Sequence, residues 1–207
     1  MAAPIRFYLD FASPYAWLAL DRIEALARER GRALEWRPML VWAVLKAQGV
    51  PPPLDAPAKR AYLFADMVRS AAFYGVAYRH PENLPLSAHR AARLFHALAV
   101  EDVARATAFG RAVLRGFFAE GVDIADPAAL ARLAARQGVD AETAAAAMDG
   151  PVGRERLAAT IAAAVADGVC GSPSFLVDGE LFFGADRVAQ IAWRLGGGSE
   201  RETGGGR

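Results

Sequence analysis

The sequence predicts an α/β fold whose sheet-forming part is interrupted by an all-α block. Three observations carry this. A strand–helix–strand pattern fills the first forty residues, a long middle stretch has helical periodicity and no defensible strand, and a strand hairpin followed by a helix closes the chain. Ile5 to Asp10 reads as a buried strand. Pro14 suits a first helical position, and Ala16, Leu20, Ile23 and Ala27 then recur at helical spacing up to Gly31, a C-terminal cap. Ala33 to Arg37 is a second strand, stopped by Pro38, so the start is a βαβ unit. Val41 to Gln48 suits a short helix, and Pro51-Pro52-Pro53 is a rigid break. From Ala58 to about Ala166 the chain is rich in Ala, Leu and Arg, punctuated by Gly75, Pro81 to Pro85, Gly121, Pro127, Gly138 and Gly150-Pro151, and reads as several packed helices. Ser174 to Val177 is strand-like, Asp178-Gly179 is a hairpin turn, Leu181 to Phe183 pairs back, and Asp186 begins a last helix. Residues 1–40 and 167–197 are thus expected to form one discontinuous α/β domain, 41–166 a helical insertion, and the glycine-rich 198–207 a disordered tail.

Composition narrows the function classes. With 207 residues, 54% of them hydrophobic, the chain can bury a substantial core. The formal net charge of +1 argues for neither nucleic acid nor an anionic membrane as partner. No apolar run reaches membrane-spanning length, and the start MAAPIRFYLD lacks a signal-peptide pattern. Cys170 is the single cysteine, so no intrachain disulfide can form and a reducing cytoplasm is the expected compartment. His89 and His96 share a helix face, but neither they nor His80 come with a ligand pattern, and no metal is expected.

Ser13-Pro14-Tyr15-Ala16 occupies the strand-to-helix junction where redox proteins of the thioredoxin type carry Cys-Pro-x-Cys. Ser13 reads in two ways: as an N-cap of the helix, or as a hydroxyl donor to a thiolate that arrives with a ligand, since a helix N-terminus favours negative charge. No neighbouring base marks it as a nucleophile. Ser172-Pro173 directly before a strand suits a cis peptide bond, which leaves the Ser172 backbone free to pair with an extended ligand. Ala185 and Asp186 offer backbone amides for a carboxylate and a carboxylate for an ammonium, or simply a capped helix start.

Taken together, FYLDFASPYAWLA, RPMLVWAVLKAQG, PAKRAYLFADM and GSPSFLVDGELFFGADR resemble the 2-hydroxychromene-2-carboxylate isomerases and the related kappa-class glutathione transferases. The resemblance runs from about Ile5 to Leu195 and is strongest at the two ends. It implies a thioredoxin-like domain interrupted by a helical domain, glutathione as cofactor, a small aromatic substrate and a homodimer. Residue by residue it implies Ser13 as the catalytic serine holding the glutathione thiolate, and Ser172 before a cis Pro173 as the backbone grip on the cysteinyl part. It implies Ala185 and Asp186 at the γ-glutamyl end and Lys59 near the glycyl carboxylate or the substrate. Trp42, Lys46 and Asn83 are the candidate substrate contacts. Trp42 stands where relatives often have glycine, Val50 where many have asparagine, and Cys170 replaces a usual aromatic. Cys170 is expected to be a small buried hydrophobe, Lys46 also fits a solvated helix face, and Asn83 also fits a turn. Three functions stay open: glutathione-dependent isomerisation of an aromatic-degradation intermediate, kappa-like transfer or peroxide reduction, and a non-catalytic peptide-binding module.

Overall fold

Alternation along the first strand sets the architecture. Successive side chains point to opposite faces, so Ile5, Phe7 and Leu9 line one side and Arg6 and Tyr8 the other. In the computed structural model, which describes residues 2–196, this strand, β1 (Ile5–Leu9), lies inside a four-stranded sheet ordered β2-β1-β3-β4. Strand β2 (Leu34–Pro38) runs parallel to β1, while β3 (Ser174–Val177) and β4 (Glu180–Phe183) add antiparallel. Phe7 sits beside Trp36 on one neighbour and Phe175 on the other, stacking on Phe175 at 5.2 Å between ring centroids. The strand expected to stop at Pro38 includes it. Because β2 is an edge strand, the missing N–H of Pro38 removes no bond from a central ladder.

Each face of the sheet is roofed by helices. Ile5, Phe7, Phe175 and Val177 share a buried cluster with Leu20 and Ile23 of α1 (Pro14–Glu29) and Ile191 of α9 (Val188–Leu195). Tyr8 on the opposite face is buried with Met39, with Val44 of α2 (Val41–Ala47), and with Ala164 of α8 (Pro151–Ala166). The hairpin turn expected at Asp178-Gly179 is present, with both residues at positive φ.

Between β2 and β3 stand α3 (Pro57–Tyr74), α4 (His89–Glu101), α5 (Val103–Phe118), α6 (Pro127–Ala135), α7 (Ala141–Asp149) and α8. Aspartates cap three of them: Asp102 accepts from the Arg105 N–H, Asp126 from Ala128 and Ala129, and Asp140 from Thr143. The sheet and the helices share one core, since Trp36 of β2 stacks on Phe95 of α4 at 6.0 Å. The α/β sheet interrupted by helices is therefore the observed fold class. Among the described residues no helix is long and apolar enough to cross a membrane. The expectation for 198–207 lies outside the described residues.

Two glycines let helices approach where no side chain fits. A Cβ on Gly110 would lie 2.9 Å from the Trp36 ring, and one on Gly153 would lie 2.4 Å from the Arg93 carbonyl oxygen. Backbone cannot rotate aside as a side chain can, so Gly153→Ala must push α8 away from α4. Urea unfolding should show a stability loss of about 1–3 kcal/mol for Gly153→Ala. A wild-type midpoint would show that α8 does not bear on α4 this closely.

Candidate active site

At the end of β1 the chain passes to Asp10, and four hydrogen bonds converge there. Its carboxylate accepts from the Ala12 N–H at 2.9 Å, just ahead of α1, and from the Val41 N–H at 2.8 Å, the first residue of α2. Its carbonyl accepts from the Ser13 N–H at 2.9 Å, and its own N–H donates to Ser172 Oγ at 2.8 Å. One residue thereby gathers the starts of two helices and the segment that leads into β3. The carboxyl is buried, at 3% exposure, and burial pushes its pKa up from 3.8 to about 6 while the two N–H donors act in the opposite sense.

Ser13 caps α1, with Pro14 at the first helical position. Its Oγ accepts from the Ala16 N–H at 3.4 Å and donates to the Ser172 carbonyl oxygen at 2.9 Å. Ser13 is therefore the cap that the first reading expects, and its hydroxyl proton points to the segment before β3. The Ser172–Pro173 peptide bond is cis, as expected. The Pro173 carbonyl accepts from the Gly184 N–H at 3.0 Å, which brings the segment after β4 to the same end of the sheet.

That segment differs from the expected helix start. Ala185–Arg187 form a single 3-10 turn, and α9 begins only at Val188, because Gly184 at φ 118° redirects the chain first. Asp186 makes no capping bond; its carboxylate is exposed and pairs with Arg187 at 3.2 Å. The turn is held from beneath by Arg22 of α1. Arg22 Nη2 donates to the Ala185 carbonyl at 2.8 Å, and its guanidinium lies 3.6 Å from the centre of the Tyr74 ring.

The other candidates lie on the flanking helices. Trp42 follows Val41, the residue bound to Asp10, and is 44% exposed. Lys46, one turn on, is exposed on the same side of α2. Lys59 is exposed in the first turn of α3. That helix is tied to α1 by Tyr15, whose hydroxyl donates to Asp66 at 2.7 Å, and the segment after it by Trp17, whose Nε1 donates to the Ala77 carbonyl at 2.9 Å. Asn83 stands apart. Its amide donates to Asp123 at 2.8 Å, and it lines a cavity of about 280 Å³ with Arg79, His80 and Phe117 that none of Ser13, Ser172 and Asp186 lines.

Cys170 corrects an expectation: it is exposed, because Val169 and Gly171 on either side turn inward and leave it facing out. Val50 is likewise exposed. Of the histidines, His96 is buried and donates from Nε2 to the Pro38 carbonyl at 2.8 Å, a strut between α4 and β2. His80 shares a 2.9 Å hydrogen bond with the Tyr78 hydroxyl. Among the described residues no group of three or more His, Cys, Asp and Glu is disposed for a metal.

Sequence reasoning passed over Asp10 and Arg22. A lone acid at the end of an apolar strand, three residues before Ser-Pro, was the available signal for Asp10; Arg22 carried none, since helical arginines are common. The raised pKa of Asp10 has a stability consequence of definite sign. The folded chain holds this proton more tightly than the unfolded one, so the contribution is full below about pH 4 and is lost as pH rises through about 6. Asp10→Asn removes that dependence. The stability difference between wild type and Asp10→Asn should shift by about 3 kcal/mol in favour of the variant between pH 4 and pH 7, read by chemical denaturation. An unchanged difference would mean that Asp10 is already ionised at pH 4.

Comparison with known proteins identifies the fold and its relatives. The DSBA-like thioredoxin domain family matches residues 4–196. A 2-hydroxychromene-2-carboxylate isomerase of Sphingobium xenophagum is 30% identical over 190 residues, covering 91% of this chain and 95% of the relative. The human glutathione S-transferase kappa 1 is 25% identical and covers 93% of this chain and 90% of its own. A solved structure of a 2-hydroxychromene-2-carboxylate isomerase superposes with a TM-score of 0.80 at 25% identity, covering 93% of this chain and 94% of that one. With the strand-to-helix junction at Ser13, the cis Pro173 and the helices between β2 and β3 all in place, the chain belongs to the family of DSBA-like thioredoxin-domain proteins that includes the 2-hydroxychromene-2-carboxylate isomerases.

Proposed function

We propose that this protein is a glutathione-dependent cis–trans isomerase acting on 2-hydroxychromene-2-carboxylate or a similar aromatic-degradation intermediate. The observation that carries the reading is the contact between Ser13 and Ser172. A hydroxyl at the N-terminus of a sixteen-residue helix lies 2.9 Å from the carbonyl of the residue before Pro173. An extended cysteinyl ligand pairing with the Ser172 backbone would bring its sulfur to that hydroxyl and to the positive end of α1. The Ser13-Pro14-Tyr15-Ala16 junction carries no sulfur, and in this reading the thiol comes with the ligand. The name of the human relative supports glutathione as that ligand.

In this reading the γ-glutamyl end lies at Ala185 and Asp186, on the turn that Arg22 supports. Asp186 would exchange its pairing with Arg187 for the ligand's ammonium. Lys59 takes the glycyl carboxylate or the substrate, and Trp42 and Lys46 wall the substrate side. Asn83 enters only if the substrate reaches the neighbouring cavity. The ring C–O bond of the hemiketal opens first, the 2-hydroxyl proton passing to the phenol oxygen to give the cis enone, and the thiolate then adds to its conjugated carbon, forming a C–S bond and an enolate. The former double bond rotates, and the enolate then expels the thiolate, returning glutathione unchanged. A homodimer and a cytoplasmic location belong to the same reading.

Steady-state kinetics on three variants, varying glutathione and 2-hydroxychromene-2-carboxylate separately, test the division of labour. Ser13→Ala should lower the saturated rate by roughly 10²–10³, the worth of one charge-assisted donor to the reacting sulfur. Asp186→Ala should raise KM for glutathione with little change in the saturated rate. Trp42→Gly should alter which electrophiles are accepted and leave glutathione affinity alone. Glutathione consumed in proportion to product would replace isomerisation with kappa-like transfer. An equal loss of saturated rate in Asp186→Ala, with glutathione still bound normally, would overturn the assignment.

A further inference from the structure

Proton counting at the Ser13–Ser172 contact leaves one donor unaccounted for. Ser13 has a single hydroxyl proton, and it is engaged: a carbonyl oxygen can only accept, so the 2.9 Å contact with the Ser172 carbonyl uses that proton. Ser172 has a hydroxyl of its own. Its oxygen is engaged as an acceptor of the Asp10 N–H at 2.8 Å, which fixes the rotamer. Its proton has no acceptor among the described residues. The hydroxyl is half-buried at the end of the sheet, in the residue whose carbonyl touches Ser13. A hydroxyl that accepts from an N–H is polarised towards donating its own hydrogen, so Asp10 makes Ser172 a stronger donor than a free serine.

From this we propose that the side-chain hydroxyl of Ser172, and not its backbone alone, is a second proton donor to the glutathione thiolate, acting beside Ser13. The proposal rests on the glutathione reading above. It assigns Ser172 two separable tasks. Its backbone aligns the cysteinyl segment, which any residue before Pro173 can do, while its hydroxyl contributes to thiolate stability. The same arrangement tells how Ser13 is held in the absence of ligand: its proton rests on the Ser172 carbonyl until a thiolate offers a stronger acceptor, and during that exchange the Ser172 hydroxyl is already oriented. Two hydroxyls sharing one sulfur resemble an oxyanion hole, in which each preorganised donor lowers the pKa of the group it faces.

The test is the thiol pKa of bound glutathione, followed by thiolate absorbance in the ultraviolet, in wild type, Ser13→Ala, Ser172→Ala and the double variant. Every variant keeps the Ser172 carbonyl and N–H, so the backbone grip is unchanged. Ser172→Ala should raise the bound thiol pKa by roughly one unit, tenfold in thiolate fraction below that pKa, and the double variant should exceed either single one. Because Ser172→Ala also shortens the side chain, the near-isosteric pair Ser172→Thr and Ser172→Val separates loss of the hydroxyl from a change of size. Thr, which keeps the hydroxyl, should hold the thiol pKa near wild type, and Val should raise it. A thiol pKa that rises in Ser13→Ala but is unmoved in Ser172→Ala, or equal in the Thr and Val variants, overturns this inference and leaves the glutathione reading standing. Failure of wild type to bind glutathione overturns both.

Discussion

A buried carboxylate without a charged partner is expensive, and this chain keeps one at the point where its architecture converges. Asp10 accepts from one N–H ahead of α1 and one at the start of α2, and its backbone reaches Ser13 and Ser172. Desolvation dominates its ionisation and raises the pKa to about 6. What offsets that cost is geometric. The starts of α1 and α2 and the segment before β3 are referenced to one residue, so Ser13, Ser172 and the base of Trp42 share a frame. The carboxylate supplies the bonds to Ala12 and Val41, and the Asp10 backbone supplies those to Ser13 and Ser172.

A second tier of contacts carries that frame outward. Arg22 links α1 to the Ala185 turn and to Tyr74 at the end of α3, so the proposed γ-glutamyl end and the helical block lean on the same guanidinium. Tyr15, two residues after Ser13, fastens α1 to Asp66 in the middle of α3. His96 ties α4 to the end of β2. These are polar struts laid over a continuous apolar core running from Phe175 through Trp36 to Phe95. The apolar core supplies most of the driving force, and the struts decide which residues meet at the sheet end.

The periodic elements were legible before the structure. Alternation in Ile5–Leu9 and helical recurrence from Ala16 to Ala27 are local signals, and local signals reside in neighbouring residues. The motif pair Ser13-Pro14 and Ser172-Pro173 was legible because proline restricts its own backbone. The errors came where the outcome depends on how a segment sits against the rest of the fold. Pro38 stays in its strand because β2 lies at an edge, Cys170 faces outward because Val169 and Gly171 turn in, and the segment after β4 makes a 3-10 turn before α9.

The sequence by itself determined that a sheet interrupted by helices would form, and that a serine would cap the first helix at a site lacking its own sulfur. Chain stiffness, hydrophobic period and the count of one cysteine suffice for that, since they are properties of the covalent chain. Tertiary structure decided that the Ser13 hydroxyl would rest on a carbonyl 159 residues away, and that Asp10 would be buried between two helix starts. It also set Asn83 in a separate cavity. Hydrogen bonds act over about 3 Å, and only the folded core brings such groups within that range.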